Sequence, residues 1–122
     1  MKISTILKRA KKLIEAPERW IKNHYAKAGN GNIIVPNSRS AKCFCTVGAV
    51  AKVCGVSPRE FDTPTRKTRP YNQAVEFLGE LVGERYFHSV AIYNDIPRRT
   101  HEQVMKFMDK AIEKAEAQEK GN

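Results

Sequence analysis

The sequence predicts a small, mainly α-helical domain of about four helices, a one-turn helix and a short β-hairpin. Three stretches place apolar residues at helical spacing, and capping residues stand at their ends. A glycine-rich turn precedes a short β-branched run, which indicates the hairpin. Because 122 residues suffice for one modest core, we expect a single domain, residues 1–122, with frayed ends at 1–3 and 118–122.

The first helix is predicted over residues 4–16. Its apolar residues fall on one face, while Lys8, Arg9, Lys11 and Lys12 cluster away from that face. Pro17 ends the helix. Such a helix can lie on phosphates or on a membrane, but it is more often docked by its apolar side, which we expect here.

The hairpin is predicted from residues 20–28 and 33–35. Gly29-Asn30-Gly31 forms the turn between them, because glycine and asparagine tolerate positive φ angles. Pro36 ends the second strand.

Ala41–Cys54 is predicted as one buried central helix that carries all three cysteines. Ser38 or Ser40 would cap its start, and Gly55 would end it in a left-handed conformation. A glycine inside a helix costs about 1 kcal/mol relative to alanine, so a glycine there indicates a packing or functional reason. A stripe of small residues would let another backbone approach closely. Its members are Ala41, Cys45, Gly48 and Ala49.

The one-turn helix is predicted to follow Ser57, which is succeeded by proline and by a glutamate at the third helical position. Residues 63–70 form a basic, proline-bounded loop, and residues 73–84 form an amphipathic helix. The short apolar stretch 86–93 fits either a strand or a buried helix.

The last helix is predicted to start at the capping box Thr100-His101-Glu102-Gln103 and to end near residue 117. Before it, Asn94 and Asp95 break the chain. They can hydrogen-bond locally, with Asp95 paired to Arg98 or Arg99, or they can form a polar pocket wall against the small-residue stripe. Local bonding is the more usual behaviour of these residue types.

Positive charge is concentrated in the first part of the sequence. Residues 1–70 contain fifteen Lys and Arg against four acids, whereas residues 71–122 contain seven against nine. This asymmetry favours a polyanionic partner, either nucleic acid or an acidic protein surface. We therefore predict a small basic non-enzymatic binding protein. The predicted contacts are Lys8, Arg9, Lys11, Lys12, Arg66, Lys67 and Arg69.

Two other functions stay open at this point. A thiol-dependent hydrolase or transferase would use Cys45, with His101 as base and Asp95 to orient it, since a helix start lowers a thiol pKa. A buried cysteine that acts as a small hydrophobe is the simpler interpretation. The third possibility is a structural subunit of a larger assembly.

The spacing of the cysteines argues against a metal site. On one continuous helix, the sulfur atoms of Cys43 and Cys45 would point about 200° apart, so we expect neither a metal site nor a cofactor. No signal peptide and no apolar run of bilayer length is visible, and the cysteine count is odd. We therefore expect a reduced, soluble, cytoplasmic protein.

The motifs Cys45-x-x-Gly48-Ala49, Tyr93-Asn94-Asp95 and Arg99-Thr100 resemble those of an uncharacterised family of small bacterial and phage proteins. Trp20 matches an early tryptophan of that family. The chain differs from the family in having Tyr93 where tryptophan is usual, and in its more basic loop at residues 66–69. The resemblance implies a shared fold and a phage or mobile-element origin, but no activity.

Overall fold

The computed structural model describes residues 1–121 and contains five α-helices and one two-stranded antiparallel sheet. The mainly α fold class with a short hairpin is therefore confirmed. The elements run in the order α1 (Ile3–Ile14), β1 (Ala26–Ala28), β2 (Ala41–Phe44), α2 (Thr46–Cys54), α3 (Arg69–Val82), α4 (Val90–Asp95) and α5 (His101–Gly121). Short 3₁₀ turns lie at Pro17–Arg19, Pro58–Glu60 and Glu84–Tyr86.

The core lies where α1 packs between α2 and α5, with α3 beside them. On the apolar face of α1, Ile6, Leu7 and Ile14 are fully buried. From α5, Val104 and Met108 are equally inaccessible to solvent. These are the faces that helical periodicity predicts. Burial of such an apolar face stabilises a helix more than its intrinsic propensity does.

The prediction of one helix over residues 41–54 is wrong in its first third. Ala41–Phe44 is extended and pairs with β1, and the helix begins only at Thr46. The cap is therefore Cys45 rather than Ser38 or Ser40. Backbone pairing with a strand more than ten residues earlier decides the conformation here, and an apolar run does not reveal such long-range pairing. Gly55 does end α2 in the left-handed conformation, with φ of 68°.

The hairpin is confirmed, but its main partner strand lies farther along the chain than predicted. Ala26 pairs with Phe44, and Lys27 pairs with Cys43. The turn at 29–31 is present, since the Gly31 amide donates to the Ala28 carbonyl at 2.9 Å. The predicted partner segment, 33–35, contributes only one bridge to β1, opposite Lys27.

Capping was predicted correctly at two helix starts. Ser57 and Glu60 form a reciprocal capping box, and so do Thr100 and Gln103. The ambiguous stretch 86–93 is no strand: a left-handed turn at residues 87–88 leads into α4. That turn fits tightly against α3, because a Cβ at Gly79 would lie 2.2 Å from the His88 carbonyl oxygen.

The two ends of the described chain meet. The Ser4 amide donates to Glu119 Oε2 at 3.1 Å, so a carboxylate of α5 caps the start of α1. Helix α5 continues to Gly121, and Asn122 lies outside the described residues. Fraying of 1–3 and 118–122 stays a prediction. Among residues 1–121, no helix has both the length and the apolar composition needed to cross a bilayer.

Candidate functional site

The side chain of Asn94 is fully buried and takes part in five hydrogen bonds. Its Oδ1 accepts hydrogen bonds from Trp20 Nε1 at 2.7 Å, from Thr46 Oγ1 at 2.8 Å and from the Thr46 amide at 3.1 Å. Its Nδ2 donates to the Ile21 carbonyl at 3.1 Å and to Asp95 Oδ1 at 2.9 Å. These residues, here called the Asn94 junction, join α4 to the start of α2 and to the segment before β1.

Cys45 and Gly48, at the start of α2, form a second contact with the chain just before β1. The Cys45 sulfur accepts a hydrogen bond from the Gly48 amide at 3.3 Å, and this bond caps α2. A Cβ at Gly48 would lie 1.8 Å from the Tyr25 carbonyl oxygen, so no larger residue fits there without a shift. The predicted close approach of a backbone to the small-residue stripe is therefore confirmed, and that backbone belongs to the chain just before β1.

A pocket of about 470 Å³ opens beside these contacts. We call it the Asp95 pocket. Its walls come from residues 23–25 and 33–35 together with Cys45, Pro58, Ala91 and Asp95. Both polar and apolar residues therefore line the pocket.

Asp95 is held firmly at the pocket wall. Its Oδ1 accepts from the Asn23 amide at 3.0 Å and from Asn94 Nδ2 at 2.9 Å. Within residues 1–121, Asp95 forms no ion pair, and its Oδ2 accepts no hydrogen bond. The predicted pairing with Arg98 or Arg99 is therefore wrong, because Arg99 instead packs over the Tyr93 ring at 3.7 Å.

Two of the four cations of α1 lie against acidic residues of α5. Lys8 Nζ is 2.8 Å from Glu116, and Lys11 Nζ is 2.7 Å from Asp109. Lys12 is exposed. Much of the positive charge that the sequence places on α1 is thus balanced in space by a helix that begins at residue 101.

The basic loop between the one-turn helix and α3 is also partly compensated. Lys67 Nζ lies 2.9 Å from Glu60. Arg66 and Arg69 are exposed and line a shallow depression that also contains Glu76. Whether these cations contact a partner stays a prediction.

Residues 1–114 match a family described as a family of unknown function, DUF6197. The chain belongs to this family. No curated protein and no solved structure matches it. The resemblance to an uncharacterised family is confirmed, whereas the specific motifs and the phage or mobile-element origin stay predictions.

In this DUF6197 chain, the residues that carry the resemblance converge in space. Trp20, Asn94 and the helix that starts with Cys45-x-x-Gly48 meet at the junction, and Asp95 extends it to the pocket. Of the two residues that could form a pocket wall, Asp95 lines the pocket, whereas Asn94 is fully buried behind it and also bonds locally to Asp95.

The residues of the thiol hypothesis are only partly brought together. Cys45 and Asp95 line the same pocket, and His24 lines it as well. His101 does not line it, because its Nε2 lies 2.7 Å from the Ile14 carbonyl oxygen. Burial raises the pKa of the Cys45 thiol to about 11, from an ordinary 9.0, although the hydrogen bond from the Gly48 amide acts in the opposite direction. The thiol is therefore protonated at neutral pH, which is unfavourable for a nucleophile.

The structure draws attention to a group of cations that the sequence analysis did not single out. Between Glu18 and Glu60, residues 19–59 contain seven Lys and Arg and no acid. This segment, here called the basic hairpin region, includes both strands and eight of the ten residues that line the pocket. Its cations are Arg19, Lys22, Lys27, Arg39, Lys42, Lys52 and Arg59. A comparison of residues 1–70 with residues 71–122 does not reveal this segment. A run of residues without acids is the signal in the sequence that identifies it.

Proposed function

We propose that this protein is a small non-enzymatic binding protein that engages nucleic acid through the basic hairpin region. The observation that supports this most strongly is that the region carries seven cations and no acid, whereas two of the four cations of α1, Lys8 and Lys11, lie against acids of α5. Cations without acidic partners are the electrostatic feature that phosphate backbones recognise.

The cations of the basic hairpin region are available to a partner. Within the described part of the chain, none of the seven forms an ion pair. Arg39 and Lys42 are exposed. Lys22 and Lys52 donate to backbone carbonyls, but such bonds leave their charge uncompensated. The segment therefore presents a net positive field to solvent.

Nucleic acid is favoured over an acidic protein surface because aromatic and apolar groups accompany the cations. Tyr25 is 40% exposed, and Ile33 is 65% exposed. Surfaces that bind single strands combine cations along the backbone with side chains on which bases stack. An acidic protein surface would use the cations but would leave these apolar groups without a role.

The proposal is tested by fluorescence anisotropy with labelled single-stranded oligonucleotides over a salt series from about 50 to 200 mM. We expect the logarithm of the binding constant to fall linearly with the logarithm of salt concentration. A flat salt dependence, or poly-glutamate competing as well as the oligonucleotide at equal charge, would overturn the choice of nucleic acid.

Two double variants of equal charge change locate the surface. Arg39→Glu with Lys42→Glu should lower affinity at least about tenfold and reduce the salt slope by about 2. Arg9→Glu with Lys12→Glu, on exposed positions of α1, should have only the smaller effect of the altered net charge. A larger loss in the α1 variant would place the contact on α1 and contradict the proposal.

A further inference from the structure

We propose that the Asp95 pocket holds one base of a bound single strand, and that this base carries an exocyclic amino group, as cytosine and adenine do. This inference rests on the proposed nucleic-acid binding and adds a specificity to it. It is supported by the pocket's size and walls, by the state of Asp95 and by the charge around the pocket.

The pocket has the size and the walls that a base requires. Its volume of about 470 Å³ falls within the range of sites that hold small molecules. Residues 33–35 and Ala91 supply apolar contact, and Tyr25 supplies an aromatic ring. Burial, with Cys45, Asp62 and Asp95 nearby, raises the pKa of Tyr25, so its hydroxyl remains a donor.

Asp95 offers one fixed acceptor. Two donors, the Asn23 amide and Asn94 Nδ2, hold Oδ1, and no described residue donates to Oδ2. A carboxylate oxygen in this state accepts well from the amino group of cytosine or adenine. It repels the carbonyl oxygen that uracil and thymine carry at the same place.

The surroundings favour a base over a cationic ligand. Eight of the ten lining residues come from the basic hairpin region, which contains no acid. A cation would have to approach through that positive field, whereas a neutral base attached to phosphates is attracted by it. Lys27 lies two residues after Tyr25 and forms a bridge with Ile33, and Arg59 follows Pro58. Both can reach phosphates flanking a base in the pocket.

The test compares oligonucleotides of deoxycytidine and deoxyuridine, which differ at this position by an amino group and a carbonyl. The natural protein should bind the cytosine strand about tenfold more tightly at equal salt. In Asp95→Asn, the two donors to Oδ1 keep the amide oxygen in its place, so the new NH₂ group takes the place of Oδ2. This variant should lose the preference for cytosine or reverse it.

Asp62→Asn is the matched control, because Asp62 also lies near Tyr25 and its replacement removes the same charge. It should keep the preference for cytosine. Thermal melting of both variants checks that each is folded.

The possible outcomes separate this inference from the proposed function. Salt-dependent binding without any preference between the two strands would overturn the base pocket and leave the proposed function standing. A preference for cytosine that survives in Asp95→Asn would also overturn it, because Asp95 would not be the acceptor. Absence of binding to either strand would contradict both.

Discussion

The α1–α5 pair and the basic hairpin region differ in whether their cations lie against acidic side chains. On α1, Lys8 and Lys11 each lie within 2.8 Å of a carboxylate of α5. In residues 19–59, seven cations have no acid in their own segment and no ion pair among the described residues. The distribution of charge along the sequence therefore differs from its distribution in the folded protein. Acids of α5, a helix nearly ninety residues later, lie against cations of α1, whereas the hairpin stays basic.

The two regions also differ in what holds them. The α1–α5 contact combines buried apolar side chains with exposed ion pairs, and exposed ion pairs contribute little to stability. The hairpin joins α2 and α4 through two points, the close approach at Gly48 and the Asn94 junction. Changes at these points should therefore have much larger effects than changes in the ion pairs of α1.

The largest effect is expected for Gly48→Ala. The new Cβ would lie 1.8 Å from the Tyr25 carbonyl oxygen, a backbone atom that cannot rotate away. We expect a loss of at least about 3 kcal/mol in the free energy of unfolding, or no folded protein. Urea denaturation followed by circular dichroism measures this.

Gly29→Ala is the control, because its Cβ would meet only the Lys42 side chain, at an ordinary 3.8 Å. It should change stability little. Equal effects of the two substitutions would mean that the close approach at Gly48 does not stabilise the fold.

The second effect concerns Asn94→Ala, which would leave the Trp20 indole and the Thr46 amide and hydroxyl without their acceptor. Buried donors without partners are costly, so we expect a loss of about 3 kcal/mol. Asn72→Ala in α3 should cost much less, since Asn72 Nδ2 makes one long bond of 3.4 Å. Similar losses in both variants, measured by denaturant unfolding, would contradict the importance of the junction.

The third effect is a loss of stability at high pH. The pKa of Cys45 is raised to about 11 in the folded protein from 9.0. Well below pH 9 the thiol is therefore neutral in both the folded and the unfolded state, and its contribution to the free energy of unfolding is fully present. As the pH rises from 9 towards 11, the unfolded state ionises first and the folded state loses about 2 kcal/mol. Cys45→Ser keeps a capping oxygen but does not titrate. Parallel unfolding free energies of the two proteins from pH 8 to pH 11 would refute the raised pKa.

The smallest effect is expected on α1. The side chains of Lys11 and Asp109 are 25% and 60% exposed. A double-mutant cycle with alanine at both positions should give a coupling energy of about 0.5 kcal/mol. A coupling as large as the loss from Asn94→Ala would remove the contrast between the two regions.

Short-range sequence patterns were sufficient to predict α1, α3, α5 and the caps at Ser57 and Thr100. Periodicity and capping depend only on residues that lie close together in the sequence. The conformation of residues 41–44 depends on pairing with β1, and no local pattern contains that information. Asn94 was expected to bond locally, yet three of its partners lie more than forty residues earlier. The pocket followed from the sequence only as the less usual of two interpretations, because its walls come from five separate segments.

The most direct test of the basic hairpin region is a titration of the isotope-labelled protein with a single-stranded oligonucleotide, followed by amide chemical shifts in two-dimensional NMR. We predict that the shifted amides cluster in residues 19–59 and around Asp95, with few changes in α1 and α5. Shifts concentrated in residues 8–12 and in α5, with the hairpin unchanged, would contradict it.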